Sequence, residues 1–268
     1  MTLSTSRRAC PAPHHSRAAL RRFRALEGRP LFRSDWIRAV FIHYEVDPAV
    51  LQPEVPFELD CFSPGRAVVS VVAFVMRNLR LAIGGRIGAL LTAPVATHGL
   101  LNVRTYVRHQ GEAGIYFISE WIPNRLSVLV GPHTYGLPYR FGRLDYRHDH
   151  ERGEVRGTMI PGRGGGRLDY VARLDDTRYR PCEPGTRAAF LLERYTAYTR
   201  QGSDRRLFRI WHRPWPQVPL RITVLQSTAL ASTGSWHAHA RLIGANYSPG
   251  VHGIWMGRPR PASHAGRS

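Results

Sequence analysis

Few residues in this chain are equipped for chemistry, and most of them sit close together. Asn102, Arg104 and Tyr106 occupy alternate positions of a run whose other members, Leu101, Val103, Thr105 and Val107, are apolar or β-branched. A period of two is that of a strand with unlike faces, so the three polar side chains share one face. Two readings of that face stay open. On a sheet packed on one side it is simply hydrated. In a closed sheet it lines the interior, where an unpaired arginine costs several kcal/mol and needs an anion. A carboxylate suits it, because guanidinium is a planar two-pronged donor. Glu120 and Glu45 are the acids best placed to accompany it. His43, His98, His133 and His212 supply acid–base groups, each with a packing role as the alternative. His237 and His239 are spaced to share one face of a strand, but a metal needs three or four converging ligands and no second cluster exists. No metal or cofactor is expected.

These residues need strands to position them. Gln110 to Gly114 is a turn cluster, and Ile115 to Trp121 a second β-branched and aromatic run, so Leu101 to Trp121 reads as a hairpin. Trp36 to Tyr44 and the apolar Ala67 to Met76 read as strands, the latter buried on both faces. Asp47-Pro48 opens a short helix, with Asp47 as N-cap. The two prolines and two glycines of Gly131 to Arg140 argue against a long regular helix there. Gly84 to Gly88 reads as a flexible loop or short helical turn. Three strands at 141–148, 154–160 and 167–174 form a meander. The clearest helix signal is Thr186 to Tyr198, with Phe190, Leu191, Tyr195 and Tyr198 on one face and Thr186 as N-cap. Strands at 208–211, 220–227 and 237–243 close the domain. The expected fold is mainly β with minor α: an antiparallel, incomplete β-barrel with one principal helix.

The segments LNVRTYV, GIYFIS and G-L-P-Y, joined by FLLERYTAYT at 190–199, WHRPWP at 211–216 and YSPGV at 247–251, resemble the YqjF-like bacterial family of uncharacterised function. That family belongs to the acetoacetate decarboxylase-like superfamily, and the likeness spans roughly Asp35 to Arg258. The resemblance implies an incomplete barrel with an interior pocket. Decarboxylases of that type form an imine on a lysine whose pKa is depressed by a neighbouring ammonium. A pairing on Gly136 to Arg140 sets Tyr139 and Arg140 where the paired lysines stand, and Ser70 and Leu100 near the pocket acids. The chain has no lysine at all, and arginine does not give up its proton. Imine decarboxylation through a lysine is excluded.

All 38 basic residues are arginine, against 19 acids, for a formal charge of +19. Such a balance favours polyanions and steers acidic ligands without defining a nucleic-acid module. Residues 1–33 hold eight arginines and one acid. They read as a disordered tail, with a short basic helix over Ala18 to Leu26 as its ordered option, and no apolar stretch follows Arg7-Arg8 to make an export signal. Residues 34–260 read as a single domain and 261–268 as a second disordered tail. Three widely spaced cysteines support neither a zinc ribbon nor a redox pair and fit a cytoplasmic location. No apolar run is long enough to cross a membrane. The expected ligand is a small anionic organic molecule held by Arg104, with Asn102, Tyr106, Tyr139, Arg140, Glu120 and His43 around it. A polyanion- or nucleic-acid-binding protein, a lyase or hydratase using His and Tyr, and a degenerate enzyme serving as an interaction partner are the alternatives.

Overall fold

The structure is a computed structural model that describes residues 14–262. It opens with α1 (His14–Glu27) and β1 (Phe32–Val46), followed by α2 (Pro48–Leu51), β2 (Glu58–Leu59) and β3 (Ala67–Leu81). Helix α3 (Gly85–Thr92) leads to the hairpin of β4 (His98–His109) and β5 (Glu112–Ile122), then α4 (Arg125–Tyr135). A meander follows of β6 (Tyr139–Asp149), β7 (Glu154–Pro161) and β8 (Leu168–Arg173). After α5 (Arg187–Leu192) come β9 (Thr196–Gln201), β10 (Asp204–Trp211), β11 (Val218–Pro219), β12 (Arg221–Gln226), β13 (Arg241–Met256) and β14 (Arg260–Pro261).

The protein is mainly β. Seven strands close a ring in the order β5-β9-β10-β13-β1-β3-β4, with β4 returning to β5. A wing of β6, β7, β8 and β12 departs from β5. Most pairings are antiparallel as expected, but β5 runs parallel to both β6 and β9. Alternate residues of the ring strands enter two cores. Phe41, Val72, Phe117, Ala197, Phe208 and Ile254 come from six of the ring strands and meet in one cluster, which is therefore the enclosed side. Their neighbours Ile42, Val71 and Val103 pack outward against Val155, Met159 and Tyr170 of the wing.

Local chemistry explains where helices form. Asp47 accepts from the Ala49 amide at 2.8 Å and caps α2 as its sequence predicts. Asn124 caps α4 by accepting from the Ser127 amide at 2.9 Å, and Gly136 ends it in the left-handed region at φ 68°. Thus α4 runs through Gly131 and Pro132 to Tyr135, a correction to the expectation that these residues exclude a long regular helix. A Cβ at Gly131 would overlap the Tyr139 ring, so glycine is required for that close approach. The expected helix over 186–198 also needs correction. Thr186 caps it, yet it stops at Leu192. Arg194 is then held by Asp60 at 2.7 Å, and the β-branched and aromatic Thr196 to Thr199 pair with β10 as a strand. It is not the principal helix; α1 and α4 are longer.

The N-terminal expectation changes most. Residues 1–13 lie outside the described residues, but α1 is ordered and docked. Phe23 is buried, the Ser16 hydroxyl donates to the His212 carbonyl at 2.8 Å, and Glu27 accepts from Arg209 at 3.3 Å and Arg260 at 3.1 Å. An amphipathic face with a large aromatic overrides the high charge of this segment. At the other end β14 pairs with β10 and Ala262 is buried, while 263–268 lie outside the described residues. No helix among the described residues is long and apolar enough to cross a membrane.

Candidate functional site

Register brings most of the polar candidates together. In one row across the ring, Phe41 of β1 pairs with Val72 of β3, Val72 with Asn102 of β4, Asn102 with Glu120 of β5, and Glu120 with Tyr139 of β6. In the adjacent row His43 pairs with Ser70, Ser70 with Arg104 and Arg104 with Phe117. Directly paired residues point to the same face. Both Phe117 and Glu120 can face inward, although three apart, because a bulge falls between the Arg104–Phe117 and Val103–Ser119 pairs.

Arg104 is the centre of this patch. Its side chain is buried, the residue being 6% exposed, and lies over the Phe41 ring at 5.6 Å. Its Nη2 donates to the Leu191 carbonyl at 3.2 Å, and the Tyr106 hydroxyl donates to the same oxygen at 2.9 Å. Helix α5 thereby plugs the ring from one end. Ser70 Oγ lies 2.6 Å from the Tyr106 hydroxyl and 2.7 Å from His43 Nδ1, and the Asn246 amide meets His43 Nε2 at 3.1 Å. Arg104 joins none of the ion pairs found among the described residues. Three buried atoms on these neighbouring side chains have no hydrogen-bond partner: Arg104 Nε, Asn102 Oδ1 and Glu120 Oε2.

Burial works against a second charge beside Arg104. Burial, and then the Arg104 charge, holds His43 down at about 3, so it is neutral. Burial raises the Glu120 carboxyl well above its ordinary value, with Arg104 opposing. Burial also raises the Tyr139 hydroxyl, with Glu120 adding to the effect.

Several expectations do not survive. Arg140 alternates to the other face of β6, where it is exposed and donates to the Ser232 carbonyl at 3.0 Å. It therefore lies away from the patch. Glu45 is held by Arg241 at 2.8 Å on the outside. His237 and His239 sit on a short 3₁₀ turn, Ser235–His239, not on a strand, and no group of three metal-binding side chains exists among the described residues. His212 is buried against Tyr195 at 4.7 Å, and His133 is exposed on α4. Ser70 stands where the family resemblance set it, beside the patch, and is the one polar residue of the apolar Ala67 to Met76 run. Asn246 is the neighbour that carries no comparable signal in the sequence.

A sizeable cavity lies elsewhere. About 500 Å³ in volume, it sits between α1, α5 and the β4–β5 turn. Of its three carboxylates, Asp60 is held by Arg108 and Arg194, Glu112 by Arg22 and Arg209, and Glu193 accepts from the Tyr195 hydroxyl and the Trp215 amide. Helix α5 stands between this cavity and Arg104, lining it with Phe190 while Leu191 faces inward.

The strand ring and its wing are similar to the acetoacetate decarboxylase-like fold. Acetoacetate decarboxylase from Legionella pneumophila matches at a TM-score of 0.59 and 14% identity over 88% of each chain. The enduracididine biosynthesis enzyme MppR, solved with pyruvate, matches at 0.59 and 15% over 88% of this chain and 91% of its own. An acetoacetate decarboxylase-like enzyme from Sphingomonas wittichii RW1 matches at 0.58 and 15% over 87% and 93%. Within that fold the chain belongs to the DUF2071 family, described as an uncharacterized conserved protein, which it matches over residues 33–252. The uncharacterized protein YqjF of Bacillus subtilis (strain 168) is 30% identical over 204 residues, 70% of this chain and 76% of that one.

Proposed function

We propose that the ring interior binds a small organic monoanion whose carboxylate pairs with Arg104. The observation that carries this reading is the buried guanidinium without an anionic partner, flanked by the unsatisfied Asn102 Oδ1 and Glu120 Oε2. Such a charge costs several kcal/mol until an anion meets it. Burial works against a second charge beside the guanidinium, so a monoanion is the counter-ion that suits it. Glu120, whose carboxyl burial pushes up, is the candidate acid–base group facing a ligand oxygen beside the carboxylate, which suits a 2- or 3-oxo acid. Asn102 and Tyr139 flank Glu120 in the same row, and Tyr106, Ser70 and His43 form a hydrogen-bonded chain in and beside the Arg104 row. Entry requires α5 to shift, because Leu191 covers Arg104. The free thiols of Cys61 and Cys182 fit work in the cytoplasm.

Isothermal titration with pyruvate, acetoacetate, their methyl esters and oxaloacetate tests the reading. The expected ligands are the two monoanions; the neutral esters and the dianion bind at least about tenfold more weakly, a difference of about 1.4 kcal/mol. Arg104→Gln, checked for folding by circular dichroism, removes binding. A desolvated pair is poorly screened, so affinity changes little between 0.05 and 0.5 M salt. A folded Arg104→Gln variant that binds the anions as well as the parent overturns the assignment. Tight DNA binding at 0.3 M salt with sequence preference would favour the polyanion alternative instead.

A further inference from the structure

The largest exposed apolar surface lies on two neighbouring helices. Ile83, just before α3, and Ile87, Leu90 and Leu91 within it are between 58% and 74% exposed. On α4, Leu126, Leu129 and Val130 are between 46% and 66% exposed. The two sets adjoin. Asn124, which caps α4, donates from its side chain to the carbonyl of Pro94, two residues past the end of α3. That bond at 2.7 Å holds the start of α4 against the turn that follows α3, which brings the two apolar sets to one region of the surface. With roughly 180 Å² for a fully exposed aliphatic residue, the patch offers on the order of 750 Å² of accessible surface, above the ~300–600 Å² of the largest patch on an ordinary monomer.

We infer that this face is a self-association surface, covered in solution by a second copy of this chain. Its area matches what one partner contributes to a stable interface, ~800 Å². Its composition is that of a protein core cut in half, aliphatic throughout, as permanent interfaces are. A bilayer is the less suitable occupant. The patch has no Trp, Tyr or Phe, the side chains that favour the lipid–water boundary. Of the arginines beside it, Arg125 is stacked over the Phe141 ring at 4.5 Å, leaving Arg86 on the helices, far from the four to eight basic residues of an anionic-lipid site. Across a twofold axis the same helices meet, so each apolar set finds its own kind.

Sedimentation equilibrium of the full chain tests this, with Leu90→Glu/Leu129→Glu as the variant. Both side chains are solvent-facing, so the variant folds, and circular dichroism with thermal melting checks it. The parent is expected at twice its 30.3 kDa chain mass at micromolar concentration. The variant should dissociate at least about a hundredfold more readily, because two charges per copy enter the centre of the contact. A parent that stays monomeric to 100 μM, or a folded variant that dimerises equally well, overturns the inference. So does a monomeric parent that floats with vesicles of one-third phosphatidylserine while the variant does not, an outcome that assigns the face to lipid.

Discussion

Replacing Arg104 with methionine separates binding from stability. In the ligand-free protein the guanidinium makes one hydrogen bond, to Leu191, and one ring contact, to Phe41. Those are worth roughly 1.5–3 and 1–2 kcal/mol respectively. Against them stands the desolvation of a charge without a counter-ion, several kcal/mol even after relaxation. Methionine fills much of the same volume, and the Leu191 carbonyl keeps its bond from Tyr106, so no acceptor is orphaned. The dialysed Arg104→Met variant is therefore expected to be more stable than the parent by about 1–3 kcal/mol. At ~2–4 °C per kcal/mol for a domain of this size, that is a rise of several degrees in melting temperature. Pyruvate should raise the melting temperature of the parent and leave that of the variant unchanged. Because Arg104 is the second cause of the depressed His43 pKa, that pKa should rise in the variant, as read by NMR on labelled histidine. A variant that melts more than about 4 °C below the parent would refute the reasoning, since Arg104 would then be a net stabiliser rather than a charge held ready for an anion.

Three further outcomes follow from the same interior and from α1. His43 is held at about 3 against an ordinary 6.5, so its contribution to stability is complete above pH 6.5 and is lost as pH falls toward 3, up to about 5 kcal/mol in all. Urea midpoints from pH 7 to 4 should fall less steeply for His43→Gln than for the parent, and equal slopes count against a neutral buried His43. Glu120 has the opposite sign: its raised pKa gives stability that is present below 4.5 and lost as pH rises through the folded value. Glu120→Gln should therefore gain on the parent as pH rises from 5 to 9 in the same urea series. Deleting residues 1–28 removes buried Phe23 and the Glu27 that holds Arg209 and Arg260, about 3–5 kcal/mol together, so the melting temperature should drop by roughly 10 °C; an unchanged value would mean α1 is undocked.

Much of the sheet was legible because alternation and β-branched runs report strand faces directly. The hairpin of β4 and β5, the short helix capped by Asp47, and the shared face of Asn102, Arg104 and Tyr106 all follow from period and caps. What escaped depends on contacts distant in sequence. The alternation of β5 puts Phe117 and Glu120 on opposite faces, and only the bulge against β4 brings them to one side. Arg140 and Tyr139 are adjacent, so the parallel pairing of β6 with β5 decides which turns inward. In the stretch after Leu192 helical and strand spacing coincide, and partner strands settle the outcome. An arginine-rich segment such as α1 is ordered by acids elsewhere in the chain: Glu112 lies ninety residues from the Arg22 it holds.

The missing lysine and the buried acid belong to one physical pattern. A Schiff-base amine must shed its proton, and a nearby cation is what lowers its pKa enough to do so. In this ring a cation is present, but it is an arginine, which keeps its proton and has no amine beside it. Its field acts instead on His43, helping to keep the imidazole uncharged, and it opposes without cancelling the upward push of burial on Glu120. The interior thus holds one fixed positive charge, a carboxyl whose ionisation burial disfavours and a neutral imidazole tied to Ser70. On the proposed reading that arrangement neutralises an anion and offers it a proton, and it includes no lysine amine with which to form an imine. Since Leu191 bonds Arg104 through a backbone oxygen, the plug holds the acceptor position that the proposed carboxylate would take. A carboxylate would add the formal charge that the peptide oxygen lacks, and on the proposed reading this difference favours exchange of the plug for the ligand.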